Sequence, residues 1–466
     1  MVKEGGKKIM AGGNFDINVG KTRPGTYVNV KSKRQQKAKG STRGIAVIPF
    51  VGYDWGPNGE FIKLSVDSPD AYLHKLGRSV YDANDFMLMV REIFKNAITC
   101  YVYIINTGIA AKATTEDGLT VTAVYPGTRG NDLSVVSAEN VLGGFDVTVY
   151  MGTEKVEIYE GVKTFGDLIA ASAGKYVTFK ATTEEADLKA IASLRLAGGD
   201  NGTTENSAVT GFLDKVEKVR WNTMCFPITE TTLQTVCIAK IKMLRNSVGK
   251  YVQAVLPNCK ADFEGIINVT NSVILDDGTE SGKQLTVAQA CAWVAGATAG
   301  ASKTQSNTYV EYTGAIDIVG VKSNEEAIEA IKNGEFFFSR SDEDKIVVEY
   351  DINSLHNFTT DRTSDYAKNR VIRVYDSFAE DLRLNFPPNK FNNDPDGWLI
   401  MEGLGRELLN SYGPVSDGGD GSIMNINLEE DFYVDQSRSQ GDETFFNVGL
   451  QAVDSAEKLY FSVSTR

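Results

Sequence analysis

Around residue 108 the hydrophobic period of this 466-residue chain changes, and around residue 200 it changes back. Ahead of 108, an apolar strand GIAVIPFVGY (44–53), a loop DWGP (54–57), a helical pattern at 82–97 and a strand CYVYIIN (100–106) follow one another as in a layered parallel sheet. In the helical stretch Phe86, Met89, Val90, Ile93 and Phe94 recur at helical spacing. Between 108 and 200 the chain turns to short runs rich in Thr, Val and Tyr, among them LTVTAVY, FDVTVYM and KYVTFKA, parted by Gly, Asn and Asp. That is the pattern of a small β-sandwich or barrel. Past GGDNG (198–202), helices are expected at 205–220, 231–248, 286–300 and 323–333, with strands MCFPI, YVQAVLP and IINVT among them. An α/β domain made of 44–107 and 201–344 therefore carries an insertion at 108–200.

A third region, 345–443, begins with the strand KIVVEYDI and predicts helices at 364–385 and 396–411, the second stopped by Gly413-Pro414. Ile372, Tyr375, Phe378 and Leu382 share one face of the first helix, and Lys368, Arg370 and Arg373 fall mostly elsewhere on it. Both ends of the chain read as strands set apart by polar linkers. TYVNV (26–30) lies within 1–43, a segment of arm and linker. TFFNVGLQAV and KLYFSVS lie in 444–466, after the polar loop 435–443. Strands isolated in this way are edges that seek a partner, and the linkers at 31–43 and 435–443 are hinge candidates. Repeated head to tail, such a contact builds rings and helical tubes.

Charge is unevenly placed. The net charge is −13, yet residues 1–40 hold ten Lys/Arg against Glu4 and Asp16. Residues 376–466 hold 17 acidic against 6 basic residues. An acidic body argues against a general binder of nucleic acid, and a basic leader paired with an acidic acceptor would steer assembly. No apolar run reaches the ~18 residues of a membrane span, and the opening MVKEGGKKIMAGG lacks an apolar signal core. Five scattered cysteines without a CxxC pair read as buried thiols of a reducing compartment.

Motifs of chemistry are weak. GTESGKQ (278–284) is one residue short of a phosphate loop and follows two aspartates, so a glycine-rich turn explains it better. His74 and His356 lie outside any G-x-S-x-G elbow. DGGDG (417–421) offers two carboxylates where a calcium loop supplies more, and Trp55 and Trp398 suit packing better than exposed anchoring. No catalytic residue, cofactor or metal is expected. The competing enzyme reading is an α/β hydrolase with a β accessory domain.

Seven stretches resemble the sheath proteins of contractile phage tails and of related tail-like bacteriocins of Gram-positive bacteria. They are RPGTYVNV (23–30), DWGP (54–57), YPGTRGNDL (125–133), AGATAGASKTQSNT (295–308), EYDINSL (349–355), KNRVIR (368–373) and VDSAEKLY (453–460). The resemblance implies a subtilisin-like α/β domain that does no catalysis, an inserted β-sandwich, and a C-terminal α/β domain forming the inner layer of a sheath. It also implies terminal arms that hook into neighbouring subunits. These would use Tyr27, Val28, Asn29 and Val30 at one end, and Val453, Leu459, Tyr460, Phe461 and Val463 at the other. The implied partners are further copies of the chain, the tail tube protein, and baseplate and tail terminator proteins, with no nucleic acid and no membrane insertion. Tube attachment falls to a C-terminal helix, with Lys368, Arg370, Arg373 and Arg406 as candidates. Assembly in the bacterial host cytoplasm, into a phage tail or tail-like particle, is the implied location.

Overall fold

A computed structural model describes residues 43–276 and 281–465. At its centre is a seven-stranded sheet in the order Glu335–Phe336, Ile266–Val269, Gln253–Pro257, Thr223–Cys225, Ile45–Val51, Thr99–Ile105, Phe61–Ser65. All neighbours are parallel except the last pair, and Ile45–Val51 runs in full register with Thr99–Ile105. Alternation along the strands divides the core into two layers. Ala46, Ile48, Phe50, Val102, Ile104 and Val255 face one side; Val47, Tyr103, Ile105, Ala254 and Leu256 face the other. Helices Asp85–Phe94 and Val287–Gly300 cover the first side, and Asn206–Lys215 and Thr231–Met243 the second.

Small residues let the two helices of the first side meet closely. A Cβ on Gly296 would lie 2.4 Å from the Ile93 carbonyl oxygen, and one on Gly300 would lie 2.1 Å from that of Asn96. The alternating run at 108–200 forms two facing sheets, as its pattern predicts. One has the order Ile191–Arg195, Leu133–Glu139, Phe145–Met151, Glu154–Val162, and the other Lys112–Thr114, Leu119–Ala123, Val177–Ala181. Tyr159 and Phe179 meet edge to face between them at 5.8 Å.

The two sequence motifs DWGP and YPGTRGNDL lock this sandwich to the sheet. Trp55 is fully buried, stands edge-on to Tyr125 at 5.4 Å and gives its indole N–H to the His74 carbonyl. Arg129 N–H donates to the Asp54 carbonyl, and Asn106 Nδ2 bridges the carbonyls of Tyr53 and Pro126. Gly127, at φ +125°, is required here because a Cβ would sit 2.0 Å from the Asp54 oxygen.

The strand expected to open the third region, KIVVEYDI, packs with the body. Ile346–Val348 pairs with Phe338–Arg340, and Ile346 and Val348 belong to the large core. Helix Asn369–Asn385 starts later than its pattern suggests, after a 3₁₀ turn at Ser364–Ala367. With helix Pro395–Tyr412 and the hairpin of Phe432–Val434 and Phe446–Val448, it builds a smaller core of Val374, Phe378, Leu409, Tyr412, Ile423 and Phe432. The protein is thus mixed α/β and multidomain, with a β-sandwich inserted.

Candidate functional site

Four of the seven motif stretches, far apart in sequence, converge where helix Asn369–Asn385 begins. Asp351 is the hub. Its carboxylate accepts from the Arg373 guanidinium at 2.9 Å, from Asn369 Nδ2 at 2.9 Å and from the Asn307 backbone N–H at 2.9 Å. Arg373 also reaches the Gln305 carbonyl, and Asn369 accepts from Gln253 of the central sheet. Both members of the Arg373–Asp351 pair are out of solvent. One turn along, Arg245 holds Asp376 through two N–H bonds of 2.7 and 2.9 Å, also buried. Losing one partner of such a pair leaves a buried charge uncompensated, so these bonds fix how the C-terminal helix meets the body.

Beside the hub lies a seat for the end of the chain. Lys368 pairs with Glu457 and, at 3.6 Å, with Asp454. Ser306 donates to the other Glu457 oxygen at 2.8 Å, and Arg370 donates to Ser455 Oγ at 2.6 Å. The ammonium groups of Lys368 and Lys458 both lie over the Tyr350 ring, at 4.0 and 5.6 Å. Burial opposes the charge of Lys368, but the hydrogen bond and charge of Glu457 outweigh it, and its pKa is raised above the usual lysine value. Burial lowers that of Arg370.

From Leu459 onward these contacts cease. Leu459, Tyr460, Phe461 and Val463 are 66, 90, 82 and 89% exposed, and KLYFSVS, expected as a strand, has no strand partner among the described residues. Its alternation needs an edge to pair with, and no edge among the described residues takes it. By contrast TFFNVGLQAV is already used. Phe446–Val448 pairs with Phe432–Val434, Ala452 bridges Ile423, and the Val453 N–H donates to the Ser422 carbonyl.

The remaining candidates fall as follows. Tyr27, Val28, Asn29 and Val30 lie outside the described residues. Arg373, Lys368 and Arg370 are engaged inside the chain as described, because the helix buries a second, charged face that a single apolar stripe does not reveal. Arg406, on helix Pro395–Tyr412, pairs with Glu402 of the same helix and with Glu429 beyond it. The loop 435–443 is knit in place: Asn393 Nδ2 donates to the carbonyls of Gly441 and Glu443, and Ser439 Oγ accepts from the Phe445 N–H. His356 Nδ1 is held by the Ser354 carbonyl, and Asp420 of DGGDG by Lys303 and Ser422. Lys283, on the strand Ser281–Gln284, pairs with the carboxylate of Asp85, the first residue of helix Asp85–Phe94. Among the described residues no group of three or more His, Cys, Asp or Glu is placed to hold a metal ion, and no helix is long and apolar enough to cross a membrane. All five cysteines are buried, and burial pushes their thiol pKa values up.

Sequence reasoning singled out Lys368 and Arg373 but missed what they bind. Asp351 and Glu457 sit inside the quoted stretches, yet a separation of 22 or 89 residues leaves no periodic signal of pairing.

Comparison with known proteins matches residues 106–201 to the phage tail sheath protein beta-sandwich domain, 202–354 to the phage tail sheath protein central domain, and 361–466 to the phage tail sheath C-terminal domain. The phage-like element PBSX protein XkdK of Bacillus subtilis is 35% identical over 97% of this chain and 99% of its own. The chain belongs to the phage tail sheath family. The sheath tail protein of Desulfitobacterium hafniense superposes with a TM-score of 0.79 at 35% identity, covering 94% of this chain and 99% of that one. The fold alone extends to the contracted helical sheath of the anti-feeding prophage, at 14% identity and a TM-score of 0.52 over 96 and 100% of the two chains. As a sheath-family member the chain is a structural subunit of a phage tail sheath.

Proposed function

We propose that the chain polymerises into stacked helical rings around a tail tube, and that the sheath so formed contracts from a metastable extended state to drive the tube through a cell envelope. The observation that carries this is the exposed, alternating end of the chain, which leaves a fixed seat and has no strand partner among the described residues. A strand added to a neighbour's sheet is a heterologous contact, and when the rotation does not close it propagates as a helix. A body whose joints are buried ion pairs turns as one piece, and the free ends keep subunits linked as it does so. Energy for contraction then resides in contacts between subunits, without a nucleotide or a catalytic group. The α/β body takes the subtilisin-like role without its chemistry, and the residues before 43 form the second arm. Tube, baseplate and terminator proteins are the further partners of a phage tail or tail-like particle. On the tube side, Leu399 and Ile400 of helix Pro395–Tyr412 are 68 and 62% exposed, and Arg406 shares the face of Leu399 by helical spacing.

Deleting 444–466 would be a poor test of the arm, since Phe446, Leu450 and Ala452 pack against the C-terminal core. Ending the chain after Lys458 is the clean cut. The full chain should form long hollow tubes in negative-stain micrographs, and the shortened chain should remain monomeric with an unchanged melting curve. Normal tubes from the shortened chain would refute the arm.

A further inference from the structure

A groove of about 430 Å³ opens between the end of helix Asn324–Lys332, the run 350–356 and the 3₁₀ turn Ser364–Ala367. Ile352 and Leu355 form its buried floor, Ile331 a wall, and Phe358, 52% exposed, the rim. At roughly 30 Å³ per water-sized group, it has room for about fourteen heavy atoms.

The polar groups at its mouth are few. Lys332, the last residue of its helix, has no ion pair or hydrogen bond among the described residues. Its ammonium offers three donors and no acceptor. His356 gives its Nδ1–H to the Ser354 carbonyl at 2.9 Å, since a carbonyl only accepts, and Nε2 has no partner among the described residues. Ser364 adds an exposed hydroxyl. Nearby carboxylates are already answered. Asp262 accepts from the backbone N–H groups of His356 and Asn357, and Glu329 accepts from Asn333. Glu457 holds the ammonium of Lys368, which leaves only the methylene stem of that residue to the groove. The charge left without a partner at the mouth is therefore positive, above an apolar floor.

We propose that this groove binds a medium-chain monocarboxylate, with the aliphatic tail on Ile352 and Leu355 and the carboxylate at Lys332 and Ser364. The site goes beyond the sheath reading and does not depend on it. Charge complementarity selects an anion, and one unpaired ammonium selects a single carboxylate. A ten-carbon acid, about twelve heavy atoms, fits the volume. Apolar walls with a few convergent polar groups are the usual make-up of a small-molecule site.

Equilibrium dialysis of radiolabelled decanoate against the full-length chain tests this, because it reads binding whether or not the chain is assembled. One ligand per chain should bind, with a Kd of about 10–100 µM, within reach of a ligand of this size. Decyl alcohol keeps the tail without the charge, and acetate keeps the charge without the tail; each should compete at least about tenfold less well. Lys332→Glu, which reverses the charge at the mouth, and Phe358→Asp, which places a charge at the apolar rim, should each weaken decanoate by about tenfold or more. Their unfolding midpoints should stay put, since both side chains are exposed. Absence of saturable binding would overturn the site. Several ligands per chain, or equal affinity in both variants, would also overturn it by showing adventitious uptake at the surface only. Decyl alcohol or acetate competing as well as decanoate would overturn it too, because the groove would then not select an acid with a tail. Each of these results leaves open whether the full chain forms tubes, so the site and the sheath reading fail separately.

Discussion

Residues 453–458 and 459–465 are adjacent but unlike in composition, VDSAEK against LYFSVST, and the first stretch is fixed whereas the second is open. The root is held by Lys368, Arg370, Ser306 and the Tyr350 ring. The tip has large apolar side chains in solvent. The difference lies in the partners: charged and hydroxyl groups of the same chain answer the root, and the tip's strand pattern has no strand partner among the described residues. The boundary at Lys458 confines the largely exposed stretch to a few residues well past the loop 435–443.

The comparison can be broken most severely beneath the root. Asp351→Ala would leave the Arg373 guanidinium buried without its carboxylate, and should lower unfolding stability by about 3–5 kcal/mol in urea titrations. The chain ending at Lys458 should differ from the full chain by less than about 0.5 kcal/mol, as expected for an exposed end. A loss under about 1 kcal/mol in Asp351→Ala would mean that the hub does not join body and C-terminal helix as drawn.

Next in size is the seat itself. Glu457→Ala strands Lys368, a charged group largely out of water, at a cost of about 1–3 kcal/mol confined to the root. Opening of 453–458 should rise about tenfold or more, read as faster cleavage there by a protease at low concentration. Global unfolding should change little. Equal cleavage rates in the two proteins would show that Glu457 does not hold the root.

The layout of the body was legible from period alone, because strands such as Ile45–Val51 alternate between two buried layers and the sandwich strands between a buried and an open face. The site was legible only in part. A helical wheel that assigns bases to solvent misplaces Arg373, since its partner Asp351 comes from a loop that no periodicity announces. The polar composition of 435–443 suggests a hinge, but its side chains satisfy local backbone groups and pin the loop. KLYFSVS reads as a strand because alternation reports what a segment can pair with, and pairing also needs an edge, which it does not find among the described residues.

The smallest expected effect concerns pH. The Lys368 ammonium has a folded pKa above its usual value, opposed by burial and sustained by Glu457 and Asp454. A base shifted upward gives stability that is fully present below the unfolded pKa, about 10.4, and is lost as pH rises through the folded value. The root should therefore hold from neutral pH up to about 10 and loosen above that. A fluorophore on Ala456→Cys, selective because the native thiols are buried, would report this as anisotropy flat at first and then falling. In Lys368→Arg the cation persists to higher pH, so the fall should move upward if the seat is responsible and stay in place if the whole protein is unfolding. A fall already between pH 6 and 8 would assign the seat to a different titrating group and remove the Lys368–Glu457 pair as the element that separates root from tip.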